Sequence, residues 1–309
     1  MLSLILATLT LTAPVAAQTQ APPPKPPSMD TPFVCESCTA WNETQAPFKV
    51  HGNTYYVGPK GVSAVAIKTS AGIILLDGGL PQSAPKIEAS LREVGLKIED
   101  VKFILNSHAH YDHAGGIARL QHDSGATVVA SASGAQAIQS GMPTPDDPQF
   151  GEDGSKGRFP SVTKVRAVKD GERIVLGDVT VTAHLTSGHT PGSTTWTWTS
   201  CEGNACVNVV YADSLNPVSL DGFRFTGDAT HKSRVDLFRS SIARVEALPC
   251  DILLTVHSEG SSLLERVAKR STQTTPDPLI DANACRTYAA TAGKRLDDRV
   301  KSETAPAKK

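Results

Sequence analysis

Four side chains able to hold a metal stand within residues 108–113: His108, His110, Asp112 and His113, in the run Ser-His-Ala-His-Tyr-Asp-His-Ala-Gly-Gly. The chain has nine histidines in 309 residues, so three of them falling in this run calls for a chemical reason. Imidazole and carboxylate at this density suit a transition metal, and an open centre of that kind activates water for hydrolysis. Side chains two apart on an extended segment point the same way, so His108 and His110 can share one ion. Asp112 and His113 follow as the chain turns into Ala114-Gly115-Gly116 and can face a second ion nearby. A structural zinc is closed by four ligands, often cysteines, and no Cys lies near this run.

A two-metal site needs ligands from elsewhere in the chain. His189 stands in Thr-Ser-Gly-His-Thr-Pro-Gly-Ser, just after the apolar alternation of residues 179–185. His257 directly follows the apolar run Ile252-Leu253-Leu254-Thr255-Val256. Both are placed at the carboxyl end of a strand, where ligands and catalytic groups gather in layered α/β folds. His51, His122, His184 and His231 have no such setting and are read as surface or packing residues.

His-x-His-x-Asp-His, a later Gly-His, an Asp after the next strand and a final His together resemble the metallo-β-lactamase superfamily. The strand ending Leu76-Asp77-Gly78-Gly79 is similar to that family's opening motif, in which the Asp braces the metal loop. The resemblance spans roughly residues 45 to 300. Within the superfamily the chain looks most like the third subclass of class B β-lactamases: the ligands are all His or Asp, Tyr211-Ala212-Asp213-Ser214-Leu215 follows the central strand, and Leu248-Pro249-Cys250-Asp251 precedes the last metal strand. The resemblance implies two Zn2+ per chain, one on His108, His110 and His189 and one on Asp112, His113 and His257. It implies hydrolysis of the β-lactam ring of penicillins, cephalosporins and carbapenems, and antibiotic resistance.

In the lactamase subclass a Ser occupies the bridging position, aligned with Ser214, which leaves Asp213 as a buried structural acid. The superfamily's thioesterases and lactonases instead use that Asp as a metal bridge, and a one-residue shift would make Asp213 the bridge here. Ser214 is expected to meet the substrate carboxylate by resemblance. Related enzymes usually carry a second hydroxyl two residues on; here the residue is Asn216, whose amide can still donate. Gln149, in Asp-Pro-Gln-Phe-Gly, precedes a glycine-rich stretch to Pro160 that could cover the substrate, with an ordinary loop role equally open.

The formal net charge of −1 and the scattered Lys and Arg point away from nucleic acid or an anionic membrane surface as partners. A monomer acting on a small molecule is expected. Residues 1–17 are an apolar run ending in Val15-Ala16-Ala17, a small-x-small site that suits a signal peptide, although no Lys or Arg precedes it. The six cysteines agree with export to the periplasm or beyond. Cys201 and Cys206 lie across a turn and suit a hairpin disulfide. Cys250 and Cys285 sit at the last metal strand and the final helix, a pairing that also matches the lactamase subclass. Cys35 and Cys38 form a C-x-x-C, assigned here to a local disulfide in a surface tail, with a redox or zinc half-site as the alternatives.

Residues 18–46 read as a proline-rich linker, 47–303 as the catalytic domain and 304–309 as a disordered end. Strands are expected at 48–57, 62–68, 73–77, 101–105, 126–130, 162–167, 179–185, 194–199, 207–211 and 252–256. Helices are expected at 84–94, 133–139, 232–247, 263–270 and 282–300. Two strand-rich halves, each carrying helices, suggest a four-layer α-β-β-α sandwich (α/β class), with the site at one edge between the sheets.

Overall fold

The computed structural model describes residues 25–151, 156–229, 231–273 and 275–305. The expected signal peptide, and residues 152–155 of the glycine-rich stretch, lie outside the described residues. A short helix α1 (Cys38–Trp41) precedes a seven-stranded sheet of β1 (Phe48–His51), β2 (Thr54–Tyr56), β3 (Val65–Thr69), β4 (Gly72–Leu76), β5 (Val101–Leu105), β6 (Thr127–Ser131) and β7 (Val165–Val168), in sequential order. A second sheet of β8 (Arg173–Leu176), β9 (Val179–Leu185), β10 (Thr194–Glu202), β11 (Ala205–Ala212) and β12 (Ile252–Thr255) runs in the order β12-β11-β10-β9-β8. Helices α2 (Ala84–Glu93), α3 (Tyr111–Ala114), α4 (Ile117–Ser124) and α5 (Ala132–Ser140) belong to the first half. Helices α6 (Val235–Ala247), α7 (Leu263–Ala268) and α8 (Ala284–Thr304) belong to the second.

Strand parity builds the layers. Along β4, Ile73 and Leu75 face Ile87, Leu91, Ile117 and Leu120 of the first helical layer, whereas Ile74 and Leu76 face the second sheet. Across the midplane stand Val179, Val181, Ala183, Trp196 and Trp198, the two tryptophans serving as core residues. Val210, Ala212 and Leu253 then turn outward to meet Phe238, Ile242 and Val245 of α6 and Ala289, Ala292 and Leu296 of α8. This is the expected α-β-β-α sandwich, and period-two alternation with helices on both outer faces is its physical cause.

Disulfides join Cys35 to Cys38, Cys201 to Cys206 and Cys250 to Cys285. Two expectations need correction. Residues 33–46 are not a detached linker: Gln82 exchanges hydrogen bonds with the Phe33 backbone in both directions, the Phe33 ring stacks on Tyr111 at 3.8 Å, and Cys38 is buried. Nor does residue 304 begin a disordered end, since α8 runs through Thr304, with Glu303 accepting from the Phe225 and Thr226 backbone.

Candidate metal centre

Asp77, at the end of β4, organises the loop that carries the first four candidate ligands. It sits in left-handed backbone, φ 57°, which only short polar residues and glycine adopt readily. Its Oδ1 accepts from Asn106 Nδ2 and Ser107 N, and its Oδ2 from Ser107 Oγ and Tyr211 OH. Burial pushes its pKa up to about 6 against the pull of His113 and of these donors. The Gly78-Gly79 and Gly115-Gly116 turns press together, and a Cβ on Gly116 would come within 2.2 Å of the Gly78 carbonyl. Asp112 and His113 fall on the short helix α3, which starts as soon as β5 has delivered the loop.

Five imidazoles and one carboxylate converge. Ring centroids lie 4.7 Å apart for His108–His110, 4.7 Å for His108–His189 and 5.0 Å for His110–His189. These three can each offer one ligand atom within 4.8 Å of the others, as can His108, Asp112 and His113. Beside them Asp112 Oδ2 is 3.2 Å from His113 Nε2 and 3.4 Å from His257 Nε2, and the two imidazole nitrogens are 3.3 Å apart. His257 is delivered by β12, which pairs in parallel with β11, and His189 by the loop joining β9 to β10.

Hydrogen bonds on the far side of four rings fix which nitrogen is free. His108 Nδ1 donates to Asp213 Oδ1 at 2.6 Å, and its Nε2 is buried without a partner among the described residues. His189 Nδ1 donates to the Asn216 carbonyl at 2.8 Å and His257 Nδ1 to the Gly61 carbonyl at 3.0 Å. His110 Nε2 donates to Asp147 at 3.1 Å. A carbonyl or carboxylate only accepts, so the opposite nitrogen of each ring keeps its lone pair, the arrangement of metal-binding histidines held by an outer layer of acceptors.

Burial holds His108 well below the usual imidazole range, reinforced by His113 and His110, and it takes His189 down to about 3. Asp112 stays far below the usual carboxylate range: burial opposes ionisation, and His113 and His257 outweigh it. Burial also works against protonation of His110 and His113, but Asp147 and Asp112 beside the first and Asp112 and Asp77 beside the second outweigh it and raise both. An ion entering among these rings and the Asp112 carboxylate would displace those protons, and the donor set of imidazoles and carboxylate fits a divalent cation.

Asp213 is fully buried; its Oδ1 accepts from His108 Nδ1, and its Oδ2 is buried without a partner among the described residues. Ser214 and Asn216 line a cavity of about 690 Å3 that also reaches His257. Asn216 contributes its carbonyl to His189, a backbone role that side-chain reasoning does not foresee. Gln149 reaches the centre, its amide 3.4 Å from His110 Nδ1. His51 and His184 are half-buried and His122 and His231 exposed, all on surface or packing contacts. Sequence reasoning missed Asp147, Gly61 and Trp41, whose ring lies 4.9 Å from that of His257. The only hint of Asp147 was a carboxylate two residues before Gln149.

A model of the metallo-β-lactamase superfamily matches residues 57–201. Among solved structures, the Rm3 metallo-β-lactamase is 47% identical with TM-score 0.84, the match covering 88% of this chain and 100% of that one. MEM-A1, a subclass B3 metallo-β-lactamase from a soil metagenome library, is 46% identical with TM-score 0.81, covering 85% and 98%. BJP-1, a subclass B3 metallo-β-lactamase of Bradyrhizobium japonicum, is 34% identical with TM-score 0.78, covering 87% and 98%. An N-acyl homoserine lactonase of Bacillus cereus is 37% identical over a match covering 16% of this chain and 29% of the lactonase, so the chain spans less than a third of that relative's length.

Proposed function

The chain belongs to the metallo-β-lactamase superfamily, and from that premise we propose that it hydrolyses the β-lactam ring with two zinc ions, on His108, His110 and His189 and on Asp112, His113 and His257. The observation that carries this reading over other metallohydrolases is the engagement of Asp213: its Oδ1 is taken up by His108 Nδ1 at 2.6 Å, and Ser214 stands next to it on the cavity wall. Imidazole-rich ligation with carboxylate oxygen suits zinc, with iron or manganese as the alternatives on ligand chemistry alone. Zinc bound there would lower the pKa of water from about 15.7 toward 7 and polarise the carbonyl.

The protein's own groups supply orientation. Asp112, buried beside His113 and His257, accepts a hydrogen bond from the attacking water. Water adds to the lactam carbonyl carbon, the C–N bond breaks, and a proton passes to the departing ring nitrogen. Ser214 Oγ and the Asn216 amide meet the substrate carboxylate, and the Gln149 amide contacts the substrate from the opposite loop. Penicillins, cephalosporins and carbapenems are the substrates of this reading, and antibiotic resistance its consequence.

Three disulfides and the apolar residues 1–17 support an exported enzyme, periplasmic or secreted, with residues 1–17 as signal peptide. No helix among the described residues is long and apolar enough to cross a membrane. We take the enzyme to be a monomer. The lactonase match keeps a lactone or thioester hydrolase as the second reading. Assaying a penicillin, a cephalosporin, a carbapenem, an acyl homoserine lactone and a thioester side by side separates them. β-Lactam turnover is expected; lactone or thioester turnover alone would replace the first reading with the second.

A further inference from the structure

We propose that Asp147 is a positioning residue that serves two loops at once: it fixes the metal-facing nitrogen of His110, and it anchors the segment that presents Gln149. Asp147 is 5% exposed, and its two oxygens lie 3.1 and 3.2 Å from His110 Nε2. A carboxylate there holds the proton on Nε2 and turns Nδ1 toward His108 and His189. The remaining capacity of Oδ1 is used within its own loop, where it accepts from the Gln149 backbone N–H at 2.8 Å. One carboxyl group thus joins a metal ligand to a substrate-facing residue 39 positions along the chain.

The Gln149 side chain closes the loop of contacts. Its Nε2 donates to His110 Nδ1 at 3.4 Å, the lone pair that an ion on this ring requires. One lone pair cannot serve both. Loading the His108, His110 and His189 cluster therefore displaces the Gln149 amide, while its backbone stays tethered to Asp147 and keeps the side chain at the cleft. Metal occupancy and the presentation of a donor to substrate are coupled through Asp147.

This rests on the metal-centre reading but not on which bond is cut, so metal readouts decide it even if no β-lactam is turned over. Long-range 1H–15N imidazole spectra of the zinc-loaded full chain should show His110 protonated on Nε2 and ligated through Nδ1. Ligation through Nε2 would overturn the proposal without any variant. In cobalt titrations followed by ligand-field absorption, Asp147→Ala should weaken one of two bound equivalents about 10- to 100-fold and leave the other in place. Asp147→Asn, whose Oδ1 can accept the same N–H, should recover most of that loss. Gln149→Ala should bind cobalt at least as tightly as the native chain. Equal cobalt affinity in the native, Asp147→Ala and Asp147→Asn chains would contradict the assignment, as would loss of both equivalents together in the two Asp147 variants.

Discussion

Four of the five converging imidazoles are held by a second group, and those groups decide what the ring can do. Asp213 and Ser214 adjoin in sequence yet have separable jobs. Asp213→Ala leaves His108 Nδ1 without its acceptor, and the zinc affinity of that cluster is expected to fall about 10- to 100-fold. Ser214→Ala should keep both metals and raise KM about ten- to a hundredfold, since a hydrogen bond to a charged group contributes about 1.5–3 kcal/mol. Zinc titration of both variants alongside steady-state kinetics checks the pair. Equal metal loss in the two would mean that Ser214 belongs to the metal centre. That these six side chains would converge was legible from residue type and spacing. Their supports were not: Gly61 and Asn216 act through carbonyls that every residue has, and Asp147 is brought to His110 only by folding.

At the scale of elements, α8 closes the second helical layer and is fastened at both ends. The Cys250–Cys285 disulfide ties its first turn to the start of β12, closing a loop of sequence separation 35. Replacing both cysteines by serine should lower the unfolding free energy by about 3 kcal/mol, read from urea unfolding. At the other end Glu303 accepts from Phe225 N, Thr226 N, Thr226 Oγ and Arg299 Nε. Burial works against its ionisation, but Arg299 and these donors hold its pKa below the ordinary 4.5. A carboxyl depressed on folding contributes stability above its unfolded pKa and loses it as pH falls through the folded value. Glu303→Gln should therefore cost about 2 kcal/mol near neutral pH, with the gap to the native chain closing below pH 4.5; melting curves across pH 3–7 test this. Strands with clean alternation were legible to a residue or two, as at Val179–Leu185. β8, four residues between two glycines, was too short to register, and α3 and α4 were hidden by ligands and glycines that break any apolar period.

For the whole molecule, two sheets meet along an apolar midplane and bring His108 to His113, His189 and His257 to one edge, from segments up to 149 residues apart. The amino-terminal segment adds a wall: Phe33 lies on Tyr111 and Trp41 on His257, with Cys35–Cys38 between them. Proline-rich composition hid that packing, because single aromatic anchors leave no periodic trace. The central claim is that this assembled centre hydrolyses β-lactams with bound metal. It is tested most directly by turnover of a chromogenic cephalosporin before chelation, after exhaustive chelation and after zinc is restored. The account predicts hydrolysis, its loss, and its return with about two zinc ions per chain. Hydrolysis that survives chelation, or a zinc-loaded protein that leaves the cephalosporin intact, would contradict it.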